Sequence, residues 1–115
     1  VAGALAAATD AIALTDPNEL ESAAVACTLE HTALALALDG RFEPAALLAG
    51  FCSAAFVAHR FERDVTERRT HEALQAAFRE HVDDEERATL LARGEALSPA
   101  AAFAEARAQL GGSLP

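Results

Sequence analysis

Tryptophan, tyrosine, methionine and lysine are all missing from this 115-residue chain, and cysteine, proline and glycine are scarce at two, four and six. Tyrosine, tryptophan and the β-branched residues, of which there are also few, favour strands, whereas alanine, the best helix former, occurs 31 times. The composition therefore predicts an all-α fold. Without lysine there is no Gly-x-x-x-x-Gly-Lys-Ser/Thr phosphate loop, so the nucleotide chemistry of that loop is excluded. Nine arginines face 18 acidic residues for a net charge of -9, which opposes the phosphate neutralisation that nucleic-acid binding depends on. No apolar run reaches the roughly 18 to 20 residues a bilayer helix needs, and Val1 to Leu14 lacks the basic start of a signal peptide, so the expected setting is the cytoplasm. A chain that begins at valine and holds no methionine reads as a piece of a longer protein; the alternative is a start residue removed or differently encoded. Residues 1–115, at 12.0 kDa, make a single domain.

What is present is a succession of helical signals. Ala2 to Leu14 is nearly uncharged, with Asp10 its one ionisable side chain, so a helix there needs cover on more than one side. Thr15-Asp16-Pro17-Asn18-Glu19 closes it and predicts the next start, with Asp16 as N-cap, Pro17 at the first helical position and Glu19 completing a capping box. The second helix then runs from about Pro17 to Leu38, where Asp39-Gly40 stops it. A third begins near Glu43-Pro44 and continues to about His59, with Gly50 inside it where another helix backbone must come close. Phe61 to Val65 reads as a polar loop. Thr66 to Val82 is amphipathic, carrying Thr70, Leu74, Ala77, Phe78, His81 and Val82 on one stripe. Asp83 to Glu86 places negative charge at the start of a short fifth helix that Gly94 interrupts or ends. Ser98-Pro99 opens a sixth, to about Leu110, which buries Phe103, Ala106 and Leu110. About six helices and no strand are expected.

Leu29 to Phe56, LEHTALALALDGRFEPAALLAGFCSAAF, is the most informative stretch. Two apolar helices should meet there in an antiparallel hairpin turning at Asp39 to Phe42. Leu29, Ala33 and Leu36 lie on its first helix and Phe42, Ala45, Ala49 and Cys52 on its second, with the alanines letting the axes approach to roughly 8 to 10 Å. The hairpin resembles a tetratricopeptide repeat in which leucine stands at the usual tryptophan and tyrosine positions. The later order, PAALLAGFCSAAF, then FERDVTERRTHEAL, then a short acidic helix into LLARGEALSPAAAFAEA, is similar to the C-terminal helical tail of large bacterial signal-transduction ATPases of the STAND type, over roughly Leu29 to Ala108. Those proteins carry a winged-helix, LuxR-type or cyclase domain, then an NTPase, then tetratricopeptide-like helices. The resemblance implies an α-solenoid fragment at the sensor or scaffold end of a transcriptional or signalling regulator, which binds an inducer or protein or keeps the ATPase inactive. It implies no functional residue at a named position.

Candidate chemistry is sparse. His71 and His81 lie about 15 Å apart along one helix, too far to share a metal, and a break at Asp83-Asp84 separates His81 from Glu85. No metal or cofactor is expected, and His31, His59, His71 and His81 read as surface or partly buried imidazoles. Cys27 and Cys52 fall at similar heights of the hairpin but at opposed helical phase, so both are expected as free, buried or half-buried thiols. Arg60, Arg63, Arg68 and Arg69 form the one basic concentration, a candidate partner or anion surface because an arginine fork engages carboxylate or phosphate. Their interleaving with Glu62, Asp64, Glu67 and Glu72 also reads as a self-neutralising surface network. Asp83 to Glu86 reads as helix capping, lacking the alternating ligands and glycine of a calcium loop.

The resemblance and these residues together point to a non-enzymatic interaction or effector-sensing module with no catalytic residue and no direct nucleic-acid or membrane contact. Its expected partner is a protein, either the NTPase domain of the same parent chain or another. The rival is a stand-alone helical protein that binds an apolar small molecule between its helices. Leu5, Ile12 and Leu14 among the alanines of the first helix predict a two-fold homodimer through residues 1–14, since a cut helical array leaves its end face bare.

Overall fold

Residues 2–16, 18 and 22–111 are described by a computed structural model, and among them every regular element is a helix. In chain order these are α1 (Ala2–Ala13), α2 (Ala23–Leu38), α3 (Phe42–Ala58), α4 (Val65–His81), α5 (Asp84–Glu95) and α6 (Pro99–Gly111). The chain is all-α, as its composition predicts.

Short polar side chains set the helix starts. Ser22 caps α2, its Oγ accepting the Val25 N–H at 3.2 Å. Asp64 caps α4 by accepting from Thr66 and Glu67, Asp83 caps α5 by accepting from Glu86, and Ser98 accepts from Ala101 at the start of α6. The second helix thus starts at Ala23 and not at Pro17, because Ser22, in extended backbone, supplies the cap. Asp16 still turns the chain locally, accepting the Asn18 N–H at 2.9 Å. The Pro17 and Glu19 parts of that predicted signal lie outside the described residues.

The α2–α3 turn forms where the sequence predicts it. Gly40 takes φ +83, and the N–H groups of Gly40 and Arg41 donate to the carbonyls of Ala37 and Leu36. These paired bonds close a helix whose next residue is left-handed. α3 ends in the same way with Arg60 in place of glycine, at φ +56, while Arg60 and Phe61 donate to Val57 and Phe56. A non-glycine residue in that conformation costs about 1 to 2 kcal/mol. The Phe61 ring, set edge-on to Phe56 with centroids 6.0 Å apart, is the apolar contact that offsets it.

α2 and α3 form the central antiparallel pair. Leu29, Ala33 and Leu36 are buried on one side and Ala45, Leu48, Ala49 and Cys52 on the other. Cys52 Sγ reaches the Ala26 carbonyl at 3.4 Å. α4 lies on α2 and buries Thr70, Leu74 and Phe78; α5 lies on α3; α1 touches α2, α6 touches α3 and α2, and α1 and α6 touch each other. α4 and α5 barely meet. Arg41 ties the hairpin turn to α6, its Nη1 donating to the Gln109 carbonyl at 2.7 Å. A solenoid repeat touches only its neighbours in sequence. Here the first helix meets the last, and the radius of gyration, 12.7 Å, matches the roughly 13 Å of a closed domain this long. The six helices close around one hairpin, with the first and last completing the packing.

Closure changes the expectation for the first helix. Ile12 is 6% exposed and Leu5 is partly buried against the core, leaving Leu14, 87% exposed, as the large aliphatic side chain that residues 2–14 present to solvent. Of the three side chains expected to pair two copies, Ile12 is taken up by the chain's own core and Leu5 in part.

α3 and α5 approach closely because each sets a glycine against the other's backbone. A Cβ on Gly50 would overlap the Leu91 carbonyl oxygen, and one on Gly94 would overlap that of Leu47. Leu47-x-x-Gly50 and Leu91-x-x-Gly94 therefore meet reciprocally, with the helices running in opposite directions across the contact. Gly94 sits inside α5, which continues to Glu95, so it neither interrupts the helix nor caps it; close contact sets its place. Gly50→Ala and Gly94→Ala should each lower stability by about 2 to 3 kcal/mol in urea denaturation, because the obstructing atoms are backbone and cannot rotate away. Gly3→Ala, helical and with nothing within 4 Å, should instead raise it by roughly 0.5 to 1 kcal/mol. Similar effects at all three glycines would show that the crossing is not tight.

Candidate functional site

α2 holds a single carboxylate, Glu30, and it is 1% exposed. A charge buried there is costly unless it is paired and hydrogen-bonded. Arg63, from the segment between α3 and α4, supplies the pair, its Nε and Nη2 donating to the two Glu30 oxygens at 3.1 and 2.8 Å. Its guanidinium also lies 4.2 Å from the Phe56 ring centroid, a cation–π contact. Hydrogen bonding to Glu30 holds the Arg63 pKa above its ordinary value, against the opposing effect of burial. His71 on α4 brings Nδ1 to 3.4 Å from the same carboxylate, without hydrogen-bond geometry. The adjacent Thr70 meets His31 Nδ1 at 3.1 Å. The α2–α4 seam is therefore polar at its centre. Sequence reasoning passed over Glu30, although its signal was present: one acidic residue within an otherwise apolar helix.

The four arginines expected as one basic surface do not stay together. Arg63 turns inward to a carboxylate 33 positions away in sequence, while Arg60, Arg68 and Arg69 are exposed. Arg63, Arg68 and His71 line a polar depression with Glu62 and Glu72, so an anion entering it meets two carboxylates and an Arg63 already engaged. Nor do neighbours in sequence neutralise one another in this stretch. Among the described residues, its ion pair is that of Arg63 with Glu30, and His71 lies 3.4 Å from the same carboxylate.

Both thiols are free, Cys52 buried and Cys27 half-buried. Burial, then the Glu30 charge, pushes the Cys52 thiol well above its ordinary value, with Arg63 pulling the other way. Cys27 is raised first by burial and then by Glu30 and Asp64. His81 is exposed and stacks on Phe42 at 4.9 Å, and His59 stacks on Phe61 at 5.3 Å. Val82, in extended backbone, ends α4 and separates His81 from Glu85. No three His, Cys, Asp or Glu side chains among the described residues are grouped to hold a metal ion, and no described helix is long and apolar enough to cross a membrane.

Beside His31, α1 leans on α2 and leaves a cleft of about 350 Å³. Ala4, Ala7, Ala8 and Ala11 form one wall, and Thr28, His31, Leu34, Ala35 and Leu38 form the other. Methyl side chains on α1 are too short to fill the space. The volume falls within the range of small-molecule sites, about 300 to 1,000 Å³, and no acidic residue or arginine lines it.

Arg63→Ala leaves Glu30 buried without its cation and should cost about 3 kcal/mol. The double replacement of Glu30→Leu with Arg63→Met leaves no charge in the core and should cost less than Arg63→Ala alone. Urea denaturation decides, and a double variant weaker than Arg63→Ala would overturn the coupling. A second prediction concerns pH. With no lysine or tyrosine, the thiols are the only side chains whose ordinary pKa lies between those of histidine and arginine. Unfolded thiols ionise near pH ~8.5 whereas the folded ones keep their protons, so stability is full below that pH and falls above it, by about 1.4 kcal/mol per unit for each thiol whose pKa is still unreached. Cys52→Ala should flatten this fall between pH 9 and 10; an unchanged slope would show that Cys52 is not its source. No family model, curated protein or solved structure matches this chain, and the reading of its site rests on the geometry above.

Proposed function

We propose that this chain is a non-enzymatic effector-sensing or protein-interaction module of a bacterial transcriptional or signalling regulator, working in the cytoplasm. The observation that carries this reading is the α1–α2 cleft, a concave apolar surface with two polar side chains and no acidic residue or arginine. Such a lining suits binding better than chemistry. The buried ionic cluster supports the same reading, because both Glu30 oxygens are taken by Arg63, which ties the segment between α3 and α4 to α2.

The likeness of Leu29 to Ala108 to the helical tails of STAND-type ATPases supplies a context. Its partner would be the NTPase domain of the same parent chain, or another protein, that responds to the state of the cleft. α1 touches both α2 and α6, so an occupant between α1 and α2 bears on the contact between the first and last helices. A second reading, a stand-alone binder of an apolar small molecule, draws on the same cleft.

The parent reading frame separates the two. The regulator reading expects a Gly-x-x-x-x-Gly-Lys-Ser/Thr loop upstream, and deletion of these 115 residues from the parent should change its ATP turnover severalfold. A start and a stop codon bounding the chain, or turnover indifferent to the deletion, would sink it.

A further inference from the structure

We infer that the α1–α2 cleft is a site for a neutral, largely apolar small molecule that carries one hydrogen-bond donor. This deepens the effector-sensing reading and rests on it for its biological use. The cleft's chemistry fixes the class of ligand. A charged ligand would leave water for a lining that holds neither arginine nor carboxylate to meet it. Apolar atoms, by contrast, would bury the methyl groups of Ala4, Ala7 and Ala11 together with Leu34 and Leu38.

One of the two polar side chains presents an acceptor. Thr28 Oγ1 donates its proton to the Ala24 carbonyl at 2.9 Å, which leaves lone pairs free. His31 lies in the same lining, its Nδ1 3.1 Å from Thr70 Oγ1. An alcohol, phenol or aromatic amine on an apolar frame satisfies the Thr28 acceptor; a carboxylate or phosphate does not.

Phenylnaphthylamine, neutral with a single N–H, is a suitable fluorescent probe, and its sulfonated counterpart anilinonaphthalene sulfonate adds a charged, three-oxygen group to the same frame. Once light scattering has established its oligomeric state, the chain should bind the first at one saturable site with a Kd on the order of tens of micromolar. The sulfonate should bind about tenfold more weakly. Ala7→Phe fills the cleft and should weaken the probe by about tenfold or more, and Ala4→Leu is a milder filling should the larger ring disturb α1. Thr28→Val, of the same shape, should weaken it severalfold, whereas Ala73→Leu, on the exposed face of α4, should leave it unchanged. Absence of saturable binding, or binding untouched by both fillings, overturns the site. Equal affinity for the sulfonate overturns its neutrality, and indifference to Thr28→Val overturns the donor. A dimer that ignores the probe and is split by Ala7→Phe would assign the cleft to a second copy of the chain instead. None of these results depends on the parent reading frame, so failure here and failure of the regulator reading are distinguishable.

Discussion

The crossing of α3 with α5 is the constraint on which the rest of the arrangement depends, because there two backbones meet with no side chain between them. Each glycine costs about 1 kcal/mol of helix propensity relative to alanine, and the close approach gains contacts along both helices in return. α5 has little else to hold it, since it barely meets α4. Its seat on α3 therefore sets where α6 begins, α6 reaches back to α1, and α1 forms one wall of the cleft. A small shift at Gly50 and Gly94 would be carried through the last helix to the first.

The Glu30–Arg63 pair is a second fixed point and acts differently. Buried ion pairs add little net stability but are costly to break, so they specify an arrangement more than they strengthen it. Here the arrangement is that of the segment between α3 and α4. Arg60 turns it by taking a left-handed conformation, Phe61 closes on Phe56, and Arg63 crosses the same ring to reach Glu30. With the segment pinned, Asp64 starts α4 in the register that lays Thr70, Leu74 and Phe78 on α2.

α2 thus serves several purposes at once. One side packs on α3, one flank carries the polar seam with α4, and the other borders the apolar cleft. His31 joins the two flanks, with Nδ1 on Thr70 and its ring in the lining of the cleft. A molecule bound at His31 would lie one hydrogen bond from α4. That proximity becomes signalling only if the occupant binds two arrangements of the helices with different affinity.

Local rules were sufficient for the helices themselves. Alanine content, the caps at Ser98 and Asp83, and the Asp39-Gly40 stop specify all-α structure, the hairpin and most boundaries, because each depends on residues within one turn of one another. Gly50 was legible as a place of close approach, but its partner was not, since Leu91 lies on a helix that only folding brings there. The same limit hid the site. Arg63 among alternating charges looks like solvated surface until Glu30 is buried beside it, and Ile12 looks exposed until α1 finds α2 and α6. The cleft exists because alanines on α1 and the side chains of α2 leave a gap when apposed, a property of neither helix alone. The sequence by itself determined the elements and most of their ends, through propensity and capping. Tertiary structure alone decided which charge is paired, which glycines touch and where the opening lies, because burial and contact depend on partners distant in the chain.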